Sequence, residues 1–123
     1  MSKCIYKNRL GKAGESAACD LLESKGFRII RRNYRFDRAE IDIIACDKES
    51  KLLLFAEVKT RRNKKFGEPV ESVTPAKQAN ILKAVEGFLY TFPEYSGHDV
   101  RIDVVSIMSD GKAFEIEHIE NAF

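Results

Sequence analysis

Apolar positions set the outline of the chain. Leu10, Ala13, Ala17, Ala18, Leu21 and Leu22 recur at helical spacing. Lys25-Gly26 then places a cation in a last turn with glycine just beyond it. The pattern predicts a helix over 10–25, preceded by a polar, basic, flexible N-terminus at 1–9. Phe27 to Tyr34 reads as a short Arg-rich strand, and 35–39 as a turn. Glu40 to Cys46 (EIDIIAC) is rich in β-branched residues and reads as a second strand. After a polar turn (DKESK), Leu52 to Thr60 (LLLFAEVKT) is the most apolar segment and is expected as the central strand. Residues 61–73 form a basic loop. Thr74-Pro75 is a helix start, with Thr as cap and Pro in the first helical position. Ile81, Leu82, Val85, Phe88 and Leu89 make one stripe of a helix running to about Thr91. Arg101 to Met108 and Ala113 to Ile119 are two further strands. The order α-β-β-β-α-β-β predicts an α/β fold, a sheet with helices packed on it, in one domain over 10–123.

The composition narrows the function classes. The chain has 123 residues, enough for one core without staples. Lys plus Arg number 21 against 19 Asp plus Glu, so the net charge is only +2. A uniformly basic nucleic-acid coat is excluded, and binding to phosphate must come from a local patch. Cys4, Cys19 and Cys46 have no zinc spacing. They are expected reduced, in a cytoplasmic protein, with Cys46 a buried filler. No apolar stretch has signal-peptide or membrane-spanning length, so no membrane partner is expected.

The chemistry lies between Glu40 and Arg62. Successive strand residues point to opposite faces, so Glu57 and Lys59 share a face, as do Glu40 and Asp42. If Asp47 pairs with Leu52 across the DKESK turn, Asp42 lies opposite Glu57 and Glu40 opposite Lys59. Opposed carboxylates about 5 Å apart repel by roughly 3 kcal/mol at an effective dielectric near 20. A divalent cation between them turns repulsion into attraction. Mg²⁺ takes one or two carboxylates plus waters and phosphate oxygens, and such an ion polarises a phosphoryl oxygen and helps make hydroxide. Lys59 can orient the attacking water or stabilise developing charge. The plain alternative is a solvated sheet face with an ordinary Glu40–Lys59 cross-strand pair worth a few tenths of a kcal/mol. Against it, these charges interrupt the most apolar strand of the chain, where burial is expensive.

Several blocks together resemble the YraN family of small bacterial proteins. These are GESAA at 14–18, EIDIIA at 40–45, FAEVKTR at 55–61, FG at 66–67, VTPAK at 73–77, RIDVV at 101–105 and the terminal NAF. The resemblance runs from about Leu10 to Phe123. The family is regarded as a branch of the restriction-endonuclease-like PD-(D/E)xK nucleases, similar to archaeal Holliday-junction resolvases. It implies an αβββαβ core with a mixed central sheet flanked by helices. It also implies Mg²⁺-dependent (Mn²⁺ as a substitute) endonucleolytic cleavage of DNA, with branched structures as candidate substrates. Asp42 and Glu57 would hold the metal, Lys59 would complete the E-x-K, and Glu15 matches the acidic residue of the first helix. Ile41 stands where the superfamily name has Pro. By analogy alone, a homodimer is expected. The other readings are a non-catalytic nucleic-acid-binding module on a nuclease-like fold, and a protein-interaction adaptor docking through the acidic segment EIEHIENAF.

Around this centre, residues 28–38 hold five Arg against one Asp, and 59–65 hold five cations and no acid. If both runs border the acidic pair they form a phosphate-tracking surface. Arg31, Arg32, Arg35, Arg61, Arg62, Lys64 and Lys65 are its expected contacts. Lys77 and Gln78, in the first turn of the second helix, are expected to line the cleft. Tyr34, Phe36 and Phe66 are candidates for stacking on unpaired bases. Arg101 and Asp103, two apart on a later strand, can brace the site as an ion pair or form a purely structural pair.

Overall fold

In a computed structural model, the chain forms a five-stranded sheet with one helix on each face. The structure describes residues 2–62, 73–109 and 113–123, and side chains from Gly11 onward. The elements are α1 (Ser2–Ser24), β1 (Arg28–Phe36), β2 (Ala39–Asp47), β3 (Leu52–Arg61), α2 (Pro75–Thr91), β4 (Asp99–Ser109) and β5 (Phe114–Ile119). A single 3-10 turn, Pro93–Tyr95, follows α2. The α/β class and the αβββαβ order agree with the sequence pattern. Helix α1 starts at Ser2, earlier than the expected residue 10, so its backbone is helical through the segment read as a loose terminus. The β1–β2 connection is also tighter than the expected 35–39 turn, because Phe36 pairs with Ala39 across two residues. Asp37 makes this possible by taking a positive φ of 55°.

Local chemistry explains the helix ends. Gly26 adopts φ 95°, its N–H donates to the Glu23 carbonyl, and the Phe27 N–H donates to the Leu22 carbonyl, both at 3.0 Å. This is the paired closure that glycine permits beyond a last turn, with Phe27 packing back near Leu22. At the start of α2, Thr74 accepts from the Lys77 N–H at 3.2 Å, with Pro75 next in line.

The strands lie in the order β1-β2-β3-β4-β5. All neighbours are antiparallel except β3 and β4, which are parallel and joined through α2. β3 is central and its Leu53, Leu54, Phe55 and Ala56 are fully buried, as a strand covered on both faces requires. The core divides by face. Ile41, Ile44, Leu53, Phe55, Ile102 and Val104 pack with Ile81, Val85 and Phe88 of α2. Ile43, Ala45, Leu54, Ala56, Val105 and Ile107 pack with Ala18, Cys19 and Leu22 of α1. Gly14 lets α1 approach β3 closely, since a methyl there would overlap the Thr60 side chain. Cys19 and Cys46 are free and buried in different layers. Burial pushes both thiols above the ordinary cysteine value, which keeps them unreactive.

Asp103 is fully buried. Arg101 grips it with Nε and Nη2, each at 2.9 Å, and the Asn121 N–H donates to it at 2.9 Å. His118 Nε2 lies 2.6 Å from Asp103 Oδ2, and Lys25 Nζ lies 2.7 Å from His118 Nδ1. An ammonium only donates, so Nδ1 is the acceptor and Nε2 carries the proton toward Asp103. The Arg101–Asp103 ion pair, for which a brace of the acidic site and a purely structural pair were both open, ties β4 to β5, the C-terminal turn and the end of α1. The acidic segment EIEHIENAF, the docking surface of the alternative adaptor reading, forms most of β5 and its return, with Ile119, Ala122 and Phe123 packed against the α2-side core.

Candidate metal centre

β2 and β3 pair in the expected register, from Asp47↔Leu52 to Ile43↔Ala56. The recorded pairing stops there, one step short of Asp42 and Glu57. Ile41 and Ile43, two residues apart, lie in opposite cores. Strict alternation would put them on one face, so β2 breaks phase at Asp42. The facing strand breaks at the same level: Arg32↔Ile43 and Tyr34↔Ile41 are paired, and Asn33 between them has φ 53°. The paired irregularity takes Asp42 out of alternation. Its Oδ2 accepts the Val58 N–H at 2.7 Å, replacing a backbone partner of β3. The expectation of Asp42 directly opposite Glu57 in a continuous ladder is corrected accordingly. Asp42 reaches β3 in the plane of the sheet because backbone N–H groups point along that plane.

Glu57 lies on the α2 face, with Ile41, Phe55, Ile81 and Ile102 beneath it. Its Oε1 is 3.4 Å from Lys59 Nζ and 3.5 Å from Lys77 Nζ. The Glu57 side chain is 11% exposed and Lys59 is partly buried, whereas Lys77 reaches it from the solvent side. Two elements thus converge on Glu57, β3 through Lys59 and the first turn of α2 through Lys77. The Glu40–Lys59 pair of the plain alternative is not formed: Lys59 meets Glu57, while Glu40 meets Arg35 at 3.5 Å.

Electrostatics couples these groups. Burial, then the charge of Glu57, raises the Asp42 carboxyl from 3.8 to about 7, against the Val58 hydrogen bond, which lowers it; Glu15 and Glu40 add to the rise. Burial lowers the Lys59 ammonium, with Lys77 beside it contributing, whereas the hydrogen bond with Lys59 raises Lys77. Glu15 approaches from α1, 3.7 Å from Arg32. The Asn33 amide, with its nitrogen turned toward the acids, donates to Glu15 at 3.1 Å and Glu40 at 3.2 Å. Asn33 was not singled out in the sequence; its side chain and positive φ hold the acids on this flank together.

The raised Asp42 value gives a pH prediction. The folded carboxyl titrates near 7 and the unfolded one near 3.9, so the folded state holds the extra proton between them. That contribution to stability is complete below about pH 4 and is lost as pH rises through 7. In chelator, the melting midpoint is expected to fall between pH 5 and pH 8. Asp42→Asn, which can still accept from Val58, flattens that fall and stabilises the protein by roughly 1–3 kcal/mol at pH 8. Parallel melting curves for the two proteins would count against this assignment.

The expected phosphate contacts are dispersed. Arg31 lies over the Phe92 ring at 5.0 Å, on the α2 side, whereas Arg32 turns to Ser16 and Glu15 of α1. Neighbouring strand residues face opposite ways, so these two do not share one surface. Arg35 is engaged with Glu40. Gln78 donates to the Val73 carbonyl at 3.0 Å, closing the entry to α2 rather than the cleft. Tyr34 packs edge-on against Phe88, and Phe36 lies against Gly87, so both rings serve the α2 packing. Arg62 is exposed at the end of β3. Lys64, Lys65 and Phe66 lie outside the described residues.

Among the described residues, no group of three or more His, Cys, Asp or Glu side chains is placed to hold a metal ion. What is present is a pair of carboxylates, one raised by burial and by the other's charge. That oxygen-only pair fits a hard cation completing its shell with water and phosphate oxygens, and does not fit a protein-caged zinc. No helix among the described residues is long and apolar enough to cross a membrane.

A family model described as "Uncharacterised protein family UPF0102" matches residues 14–107. A UPF0102 protein of Prosthecochloris aestuarii is 49% identical over 97% of this chain and 96% of its own length. Relatives from Flavobacterium psychrophilum and Natranaerobius thermophilus are 40% and 41% identical, each with more than nine-tenths of both chains covered. The chain therefore belongs to the UPF0102 family, the one its sequence blocks resemble under the name YraN.

Proposed function

We propose that this protein is a Mg²⁺-dependent endonuclease that hydrolyses phosphodiester bonds in DNA. The observation that carries the reading is the buried Asp42 carboxyl of β2, raised in part by the charge of Glu57 on β3, whose own carboxylate pairs with Lys59. Asp42 and Glu57 would hold the cation, which supplies Lewis acidity at a phosphoryl oxygen and a lowered pKa for water. Lys59, on the same face as Glu57, orients the nucleophilic water and offsets charge gathering on the phosphate. Lys77 adds a second ammonium from α2. Glu15, near Asp42 but on the α1 side, acts on the outer shell through water.

A specific observation favours a second reading. Glu57 Oε1 has two ammonium groups within 3.5 Å, a pairing that neutralises it without any metal. On that reading the protein binds nucleic acid and does not cleave it. Incubation with branched, single-stranded and linear DNA, with Mg²⁺, Mn²⁺ or chelator, separates the two. Metal-dependent cleavage supports the enzyme. Gel retention without cleavage under every metal supports the binding module. Absence of retention at low salt, where the phosphate contribution is strongest, removes both.

A further inference from the structure

Arg61 ends β3. The parallel pairing of β3 with β4 runs without a shift from Leu52↔Asp99 to Arg61↔Met108, so Glu57, Lys59 and Arg61 occupy one face. The Nε and Nη2 atoms of Arg61 are buried and have no hydrogen-bond partner among the described residues. A buried donor left unbonded costs on the order of 1–3 kcal/mol, and more when charged. These two atoms form one edge of the guanidinium fork. Arg101 uses the same edge to grip both oxygens of Asp103, at 2.9 Å each. In Arg61 the same edge is buried and finds no acceptor among the described residues.

The missing acceptor is not a carboxylate of the neighbouring pair. Glu57 is four residues away, roughly 13 Å along an extended strand, and is held by Lys59 and Lys77. Two oxygens about 2.2–2.5 Å apart on one centre are what a guanidinium edge binds, in a carboxylate or a phosphate. Beside a face that already carries two lysines, the phosphate is the better match, because it adds charge that the ammonium groups favour.

We propose that Arg61 is a phosphate-binding residue that takes a backbone phosphodiester flanking the one at Asp42 and Glu57. It fixes the register of the strand without taking part in bond cleavage. The nucleic-acid ligand rests on the function proposed above; the anion site itself rests only on the unfilled fork.

The test is calorimetric titration of the metal-free protein, in chelator, with inorganic phosphate and separately with a short single-stranded oligonucleotide. Wild type, Arg61→Gln, Arg61→Lys and the exposed control Lys48→Gln are compared. Arg61→Gln is expected to weaken both ligands about tenfold or more. It should also reduce the salt dependence of oligonucleotide binding by about one counterion. Arg61→Lys keeps the charge but lacks the fork, and is expected to recover less than half of the lost binding free energy. The melting midpoint of Arg61→Gln should hold or rise, because a neutral amide replaces the unbonded charged donors. Equal phosphate binding by wild type and Arg61→Gln overturns the proposal. Should Arg61→Gln fail to fold, wild-type affinity in Arg61→Lys overturns it. Arg61-dependent binding of free phosphate without the oligonucleotide removes the nucleic-acid ligand. Arg61-dependent binding of both in a protein that never cleaves DNA leaves this site standing and removes the nuclease. Normal cleavage with unaltered binding in Arg61→Gln does the reverse.

Discussion

Glu57→Gln is expected to lower metal-dependent DNA cleavage by about three orders of magnitude while leaving the fold intact. The substitution keeps the shape of the side chain but removes its charge. A neutral amide is a poor ligand for a hard cation, and it leaves Lys59 and Lys77 with no anion between them. Asp42→Asn should lose a comparable factor, because it removes the other carboxylate while keeping an acceptor for the Val58 N–H. Lys59→Ala is expected to lose roughly 10²–10³-fold, the scale of removing one preorganised charge-stabilising donor. The Asp42 variant makes the experiment discriminating, because it should be less active and, at pH 8, more stable. That opposition is expected where repulsion between acids is held in place for function. Circular dichroism and initial rates at saturating Mg²⁺ are the measurements. Cleavage at the wild-type rate by Glu57→Gln would identify a contaminating nuclease and remove the site.

Asp103→Ala is expected to destabilise the protein by about 3–5 kcal/mol. The fully buried carboxylate accepts from Arg101, His118 and the Asn121 N–H. Its removal leaves a guanidinium, an imidazole and a backbone donor facing an apolar gap. For a domain of this size the melting midpoint should drop by roughly 10–20 °C. His118→Ala is expected to cost less, because Asp103 keeps Arg101 and the Asn121 N–H. A drop below 1 kcal/mol in Asp103→Ala would show that the network is not what holds β5 and the C-terminal turn. Asp103 pairs along β4 with Ala56, next to Glu57 on β3. Loosening this corner is therefore expected to reduce any activity of the Asp42–Glu57 pair without altering its chemistry.

Much of the fold is local and was readable as such. Gly26 ends α1 because only a residue free of Cβ strain closes that turn cheaply, and Thr74-Pro75 opens α2 because side-chain oxygen and fixed φ suit that position. The β2–β3 register followed from a short polar turn between two apolar runs. Glu57 and Lys59 share a face because alternation survives along β3. Asp42 was found for the right residue type but by a geometry that does not hold. Alternation fails at Asn33 and Asp42, and that failure depends on two strands at once. The role of Asn33 was hidden for the same reason, since an Asn inside an Arg-rich strand has no pattern of its own.

By itself, then, the sequence determined the element order, the caps, the central strand and the residue types at the acidic pair, because each depends on neighbours a few positions away. Only the tertiary structure decided that Lys77 joins Lys59 on Glu57, that the arginines of β1 are divided between the faces, and that Asp103 is bound by Arg101, His118 and the Asn121 N–H. Those outcomes are contacts between segments far apart in the chain. Burial then sets what each charge costs, and local periodicity holds no record of burial.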